Sequence, residues 1–301
     1  MVILTRIWCE EWLLRHKAGL KIMPTLHDLH MAIRLKDVQQ VRTLVQSNLN
    51  INSSLLSCTA LSLAIYRGTD EIVELLLEQK ADANKLSCDW NQRIEPPLFA
   101  ACRLNKEPTV RTLLRHGADP NCTDFYSHSP LWIAVRERNL SLVQLLIDNR
   151  ANLNSADKWA QCPLYLAVKY FGREKIAALL IRHGCWIDSV DRDGCGTLFW
   201  ALTNGQSQLI VLLVQAGVHT NTKLRQSILD GLNLPHWLQE NQQRLDWMKQ
   251  KLTNAPTLGA LCVKAIRREL SRKSKGRTIW PLVDKLPVPQ SSKNKLRLIN
   301  A

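Results

Sequence analysis

The chain has 301 residues, 46% of them apolar, and a formal net charge of +14, which allows about two ordinary domains and excludes a disordered polymer. The charge is lopsided: residues 251–301 hold 12 Lys/Arg against 2 Asp/Glu, +10 of the total, so a nucleic-acid surface spread along the whole chain is excluded. Nine scattered cysteines with no Cys-x-x-Cys or His/Cys cluster suit reduced, mostly buried thiols rather than a zinc site, and no apolar run approaches the roughly 18 residues of a membrane span.

Residues 1–24 carry Leu4, Ile7, Trp8, Glu11 and Trp12 at helical spacing, which predicts an N-terminal capping helix. Val2 to Leu4 is too short for the core of a signal peptide, and Glu10 and Glu11 interrupt any basic face that a membrane-surface helix would need. The expected location is the cytoplasm, with the nucleus as an additional site.

From residue 25 to 222 the chain repeats itself. A small residue recurs as Ala32, Ala64, Ala101, Ala134, Ala167 and Ala201. Twelve or thirteen residues after each comes an aliphatic pair: Leu44-Val45, Leu76-Leu77, Leu113-Leu114, Leu146-Ile147, Leu180-Ile181 and Leu213-Val214. An Asn or Asp then closes each unit, at Asn52, Asn84, Asn121, Asn154, Asp188 and Asn221. Three columns in register over six units define a repeat architecture. Alanine lets two antiparallel helices approach closely, and the aliphatic pair supplies the apolar stripe of the second helix, so each unit reads as a helix hairpin that must stack on its neighbours. "RHGADPN", Arg115 to Asn121, predicts a helix end at a left-handed Gly117 followed by a turn.

In this register the hairpin tips fall near Asp89-Trp90-Asn91, Asp124-Phe125-Tyr126 and Asp157-Lys158-Trp159, with about four extra residues lengthening the tip that holds Trp90. Three successive tips therefore carry aromatics, either offered to a partner or folded back on a neighbour. First-helix positions facing the same groove include Tyr66, Arg67, Arg103, Arg136, Lys169 and Tyr170. Trp90, Phe125, Tyr126, Trp159, Tyr66, Arg103, Arg136 and Tyr170 are the candidate partner-binding residues, and a modestly basic aromatic groove suits an acidic or mixed protein segment.

Residues 223–252 keep helical patterning without the repeat signature, so a degenerate seventh repeat and capping or linker helices fit equally. From Pro256, Leu258, Leu261, Cys262, Ala265, Ile266 and Leu270 share one helical face, and Gly276 and Pro281 bound the segment. Leu286-Pro287-Val288-Pro289 follows, an extended element whose two prolines fix φ.

The repeat columns resemble those of ankyrin repeats. Their Thr-Pro-Leu-His-x-Ala signature has counterparts at Thr59-Ala60-Leu61, Pro96-Pro97-Leu98, Ser129-Pro130-Leu131, Cys162-Pro163-Leu164 and Gly196-Thr197-Leu198. The family's His is replaced by Ser62, Phe99, Trp132, Tyr165 and Phe199, and its helix-ending Gly by Asn48, Lys80 and Arg150. A bulky residue at positive φ costs on the order of 1 kcal/mol, so repeats one, two and four are expected to be looser, with Asn48 suffering least.

The tail resembles a SOCS box over residues 253–301, with Thr257, Leu258, Cys262 and Ile266 in the first element and Leu286-Pro287-Val288-Pro289 in the second. The whole chain resembles the ankyrin-repeat and SOCS-box family. That resemblance implies an all-α ankyrin solenoid followed by a small helical box, acting as a non-catalytic substrate-recognition adaptor of a ubiquitin ligase in intracellular signalling. Leu258, Leu261, Cys262 and Ile266 would bind elongin C with elongin B. Leu286, Pro287, Val288 and Pro289 would select the cullin and its RING partner, and the repeats would hold an unknown protein substrate. After Pro289 the family's Leu-Lys and Tyr-Leu-Leu run is replaced by Ser292-Lys293 and Lys295-Leu296-Arg297-Leu298, a more polar closing helix. The other reading is an ankyrin scaffold whose Arg272, Lys273, Lys275 and Arg277 bind nucleic acid or anionic lipid; short basic runs are usually solvated loops, which disfavours it. No cofactor, metal site or catalytic constellation is expected.

Overall fold

A computed structural model of the chain describes residues 24–47, 49–88, 93–191, 195–218, 243, 246, 266–267, 269–286 and 288–297. The expected N-terminal cap, Asn48, Trp90, most of 223–252, Leu258, Leu261, Cys262 and Pro287 lie outside the described residues.

The chain divides into two compact units, residues 1–125 and 126–301. In the first, α1 (Leu26–Leu35) and α2 (Val38–Val45), α3 (Ala60–Arg67) and α4 (Asp70–Glu78), and α5 (Pro97–Arg103) and α6 (Glu107–Arg115) form three helix hairpins, first helix packing on first helix and second on second. In the other, α7 (Pro130–Arg136) with α8 (Leu140–Asp148), α9 (Pro163–Lys169) with α10 (Glu174–Arg182), and α11 (Thr197–Thr203) with α12 (Ser207–Ala216) do the same. All six column alanines are completely buried, as close helix approach requires.

Helix starts are set locally. Thr25 and Asp28 form a capping box, and Thr59, Thr69, Ser129 and Asn139 each accept a hydrogen bond from the backbone three residues on. Pro97, Pro130 and Pro163 occupy first-turn positions, where a missing N–H costs nothing. Helix ends are satisfied between repeats. Lys106 Nζ donates to Ile65 O at 2.6 Å, Arg173 Nε and Nη2 donate to Val135 O and Arg136 O at 2.9 Å, and Asn204 Nδ2 donates to Val168 O and Lys169 O at 2.9 and 2.8 Å. In these three repeats a residue ahead of the second helix thus caps the first helix of the preceding repeat, whose last carbonyls have no partner within their own helix.

The closing Asn column has the same logic. Asn52 Nδ2 donates to Lys80 O while its Oδ1 accepts from Asp82 N, and Asn84 repeats this with Gly117 O and Asp119 N. Asn154 Oδ1 accepts from Trp186 N at 2.8 Å. One side chain therefore fixes the loop of the next repeat.

The layered elements are helical as expected, but two hairpin tips add short antiparallel ladders: β1 (Ser54–Leu55) with β2 (Cys58–Thr59), and β3 (Ser87–Cys88) with β4 (Ile94–Glu95). Leu56 and Ser57 close the first at φ 51° and 63°, the backbone of a tight hairpin turn without the Asn-Gly that announces one.

Lys80 and Arg150 stand at φ 64° and 66° where other repeats have Gly117, Gly184 and Gly217 at 82°, 88° and 86°. Lys80→Gly and Arg150→Gly are each expected to raise stability by about 0.5 kcal/mol, relief of left-handed strain exceeding the added chain entropy of glycine. A rise in urea midpoint measures it.

The tail packs back onto the fifth repeat. Residues 266–267 and 269–273 are helical, followed by α13 (Trp280–Asp284) and α14 (Gln290–Arg297). Pro281, expected to bound the segment, instead sits in the first turn of α13, where it is tolerated. Leu270, Ile279, Val283 and Leu296 form a small core with Trp280, Leu282 and Leu286 against it. Four consecutive carbonyls at the end of α10 receive tail donors. Arg267 Nη2 donates to Ile181 O at 2.7 Å, Trp280 Nε1 to Arg182 O at 3.2 Å, Ile279 N to His183 O at 2.9 Å and Ser271 Oγ to Gly184 O at 2.7 Å. Leu153 N donates to Gly276 O, and the other Arg267 amine reaches Leu296 O. The basic tail therefore serves in part as a cap for α10.

Candidate protein-interaction site

The tip aromatics of the second unit converge. Asp157 Oδ1 accepts from Trp159 N and Gln161 N, both at 2.8 Å, closing a side-chain turn that sets Trp159 in place. The Trp159 ring stacks on Tyr126 with centroids 5.7 Å apart and planes at 23°. Lys158 N donates to Tyr126 O at 3.1 Å, and its ammonium lies 5.9 Å from the Tyr126 ring. Behind them His128 stacks on Trp132 at 3.9 Å, and the Arg136 guanidinium lies over Trp132 at 5.6 Å. Tyr126 remains 47% exposed and Trp159 39%. The two rings fold onto each other and still leave a face to solvent, bordered by Lys158: an aromatic patch with a positive rim, the composition of interface hot spots.

The other expected groove residues are placed differently. In the first unit Tyr66 and Arg103 converge on Glu95, which is buried. Arg103 Nη2 lies 2.7 Å from Glu95 Oε1 and 3.1 Å from the Tyr66 hydroxyl, Arg103 Nε lies 3.2 Å from Glu95 Oε2, and the Tyr66 hydroxyl donates to Glu95 Oε1. The hydrogen bond to Glu95 pushes the Arg103 guanidinium pKa up, so this trio fixes the β4 tip to α3 and α5. Phe125 is 75% exposed. Tyr170 stands at the end of α9 opposite the tips, beneath the Arg173 guanidinium at 5.4 Å.

Sequence reading missed Glu95 and Asp191, the carboxylates that organise one tip in each unit. Asp191 Oδ2 accepts from the Tyr165 hydroxyl at 3.2 Å and Trp200 Nε1 at 3.1 Å, and Lys169 Nζ donates to the same hydroxyl at 2.6 Å while lying 4.5 Å over the Trp200 ring. The available signal was an acid in each tip a few residues ahead of the next first helix.

Of the tail residues, Ile266 and Val288 are about two-fifths exposed, Pro289 is exposed and Leu286 is half-buried on the tail core. Cys102, Cys162 and Cys185 are buried, and burial pushes their thiol pKa values up, away from nucleophilic use. Among the described residues no group of three His, Cys, Asp or Glu side chains is arranged to hold a metal ion.

The family model for ankyrin repeats (3 copies) matches residues 29–124 and 131–223. Among solved structures, an ankyrin repeat domain from Acinetobacter baumannii AYE is similar with a TM-score of 0.59 and 27% identity, covering 64% of this chain and 98% of that one. The ankyrin repeat protein EF0377 is similar in fold, with a TM-score of 0.56 and 20% identity over 64% of this chain and 98% of its own.

Proposed function

The chain belongs to the ankyrin-repeat family, and from that premise we propose that its repeats hold a protein substrate while residues 253–301 form a SOCS box, making it the recognition adaptor of an elongin-cullin ubiquitin ligase. Ankyrin repeats are non-catalytic interaction modules, and the transfer chemistry would reside in the assembled ligase. The aromatic patch of Tyr126 and Trp159 is the surface we assign to the substrate.

One observation carries the reading: Leu258, Cys262 and Ile266 in helical register, followed twenty residues after Ile266 by Leu286-Pro287-Val288-Pro289. Leu and Cys one helical turn apart can enter a single apolar pocket, and full burial of such a leucine contributes roughly 1.5 to 3 kcal/mol. Helical tail segments with their own small core, Leu270 turned inward and Ile266 still accessible, support it. Much of the tail's charge is also committed internally. Arg272 and Lys273 pair with Glu269 at 3.1 and 3.5 Å, and Arg267 is buried against carbonyls, which weakens the nucleic-acid or lipid reading.

The test is co-purification of elongins B and C with the full chain and with Leu258→Ser/Cys262→Ser. The full chain is expected to retain both elongins and the double variant to lose them. No elongin with the unaltered chain rejects the adaptor role and leaves an ankyrin interaction scaffold.

A further inference from the structure

Five repeats place the aliphatic pair twelve residues after the column alanine; the fifth, from Ala167 to Leu180, takes thirteen. The extra residue falls in the turn between α9 and α10, Tyr170-Phe171-Gly172, with Gly172 at φ 78°. It pushes Phe171 outward to 65% exposure beside Tyr170 at 44%. From the preceding repeat the Arg138 guanidinium lies across this turn, so close that a β-carbon on Gly172 would sit 3.3 Å from its Nη1.

Over the Tyr170 ring lies Arg173, only 8% exposed, with Nε and Nη2 spent on α7 carbonyls and Nη1 without an acceptor among the described residues. Two acids stand close by, and both carry other bonds. Glu137 pairs with Arg136 at 2.7 Å, and Glu174 accepts from Gly172 N and Gln206 Nε2, both at 3.4 Å. Burial, and after it the positive charge of Arg138, depress the Arg173 pKa more than Tyr170 and Glu137 raise it, so the two cations keep a net repulsion at the turn. A buried guanidinium with one amine unsatisfied, repelled by a second cation, favours an anion that can approach the pair.

We propose that the 170–173 turn with Arg138 is a docking site for an acidic segment of a partner protein, whose carboxylate meets Arg138 over the Arg173 charge while a neighbouring aliphatic side chain covers Phe171. Charge complementarity selects the carboxylate. A single accessible guanidinium beside an exposed aromatic ring suits a peptide better than a polyphosphate backbone, which calls for a track of cations. The site rests on the reading of the repeats as an interaction surface and is independent of the tail.

The probe is a fluorescein-labelled Glu-Asp-Leu-Glu-Asp-Leu peptide, with its Gln-Asn-Leu-Gln-Asn-Leu counterpart, titrated with the full chain by anisotropy in about 150 mM salt, where long-range attraction to a basic protein is largely screened. The acidic peptide is expected to bind and the amide peptide not. Arg138→Glu should weaken binding by about tenfold and Phe171→Ser by about fivefold, whereas Lys275→Glu, the same charge change in the tail, should alter it by less than about twofold. Equal loss with Arg138→Glu and Lys275→Glu, equal binding of the amide peptide, or no binding of the acidic one overturns the proposal. Elongin co-purification with Arg138→Glu should be unchanged, which separates failure here from failure of the adaptor reading.

Discussion

Gly184→Ala is expected to lower the unfolding free energy by about 3 kcal/mol, against about 1 kcal/mol for Gly117→Ala. Both glycines end a second helix in the left-handed region, at φ 88° and 82°, so both substitutions carry the same backbone penalty of roughly 1 kcal/mol. They differ in what a methyl group would meet. At Gly117 nothing lies within 4 Å, whereas at Gly184 the new carbon would fall 2.5 to 2.9 Å from three side-chain carbons of Ile279, which is completely buried. Relieving that overlap requires Ile279 to leave, and its N–H then releases His183 O. The variant should therefore also expose the Lys- and Arg-rich tail to trypsin faster than wild type, while Gly117→Ala leaves tail digestion unchanged. Equal destabilisation by the two, in urea unfolding, would show that the tail does not hold α10.

The contrast marks how far the sequence was legible. Periodicity exposed the alanine column, the aliphatic pairs and the helix-ending glycines, because each reports a contact inside one repeat that recurs at a fixed spacing. It also located Lys80 and Arg150 at positive φ, since a missing glycine is conspicuous within a column. It placed Tyr126 and Trp159 on neighbouring tips, but their stacking depends on the turn that Asp157 closes. Contacts made once stayed hidden. Nothing in the local pattern around Arg267, Ser271 and Trp280 says that their donors meet carbonyls 181, 182 and 184, some 86 to 98 residues earlier. Glu95 was equally invisible, because its partners Tyr66 and Arg103 lie 29 and 8 residues away with no periodic counterpart.

The same tail anchorage should make the protein acid-sensitive well above the carboxylate range. His183 is buried, its ring stacks on Trp280 at 4.0 Å and its Nδ1 lies 2.8 Å from the Thr278 hydroxyl, while Nε2 has no partner among the described residues. A proton on Nδ1, donated to Thr278, leaves Nε2 as a bare lone pair, which burial tolerates better than an unpaired N–H. Burial lowers the His183 pKa to about 4 even though Asp148 opposes the shift, and His30, buried in α1 beside Arg34, is likewise lowered to about 4, chiefly by burial. Both groups titrate near 6.5 once unfolded, so between pH 6.5 and 4 the unfolded chain binds more protons than the folded one. Stability is therefore full above pH 6.5, is lost as pH falls through that window, and levels off below 4, by about 3 kcal/mol for each histidine. His183→Phe keeps a ring against Trp280 and gives up the Thr278 bond; it should be less stable at pH 7 yet lose only about half as much on going to pH 4. Parallel pH profiles for wild type and His183→Phe would place the acid sensitivity elsewhere in the fold, whereas a shallower profile with slower tail release at pH 5 would locate it at the joint between α10 and the tail.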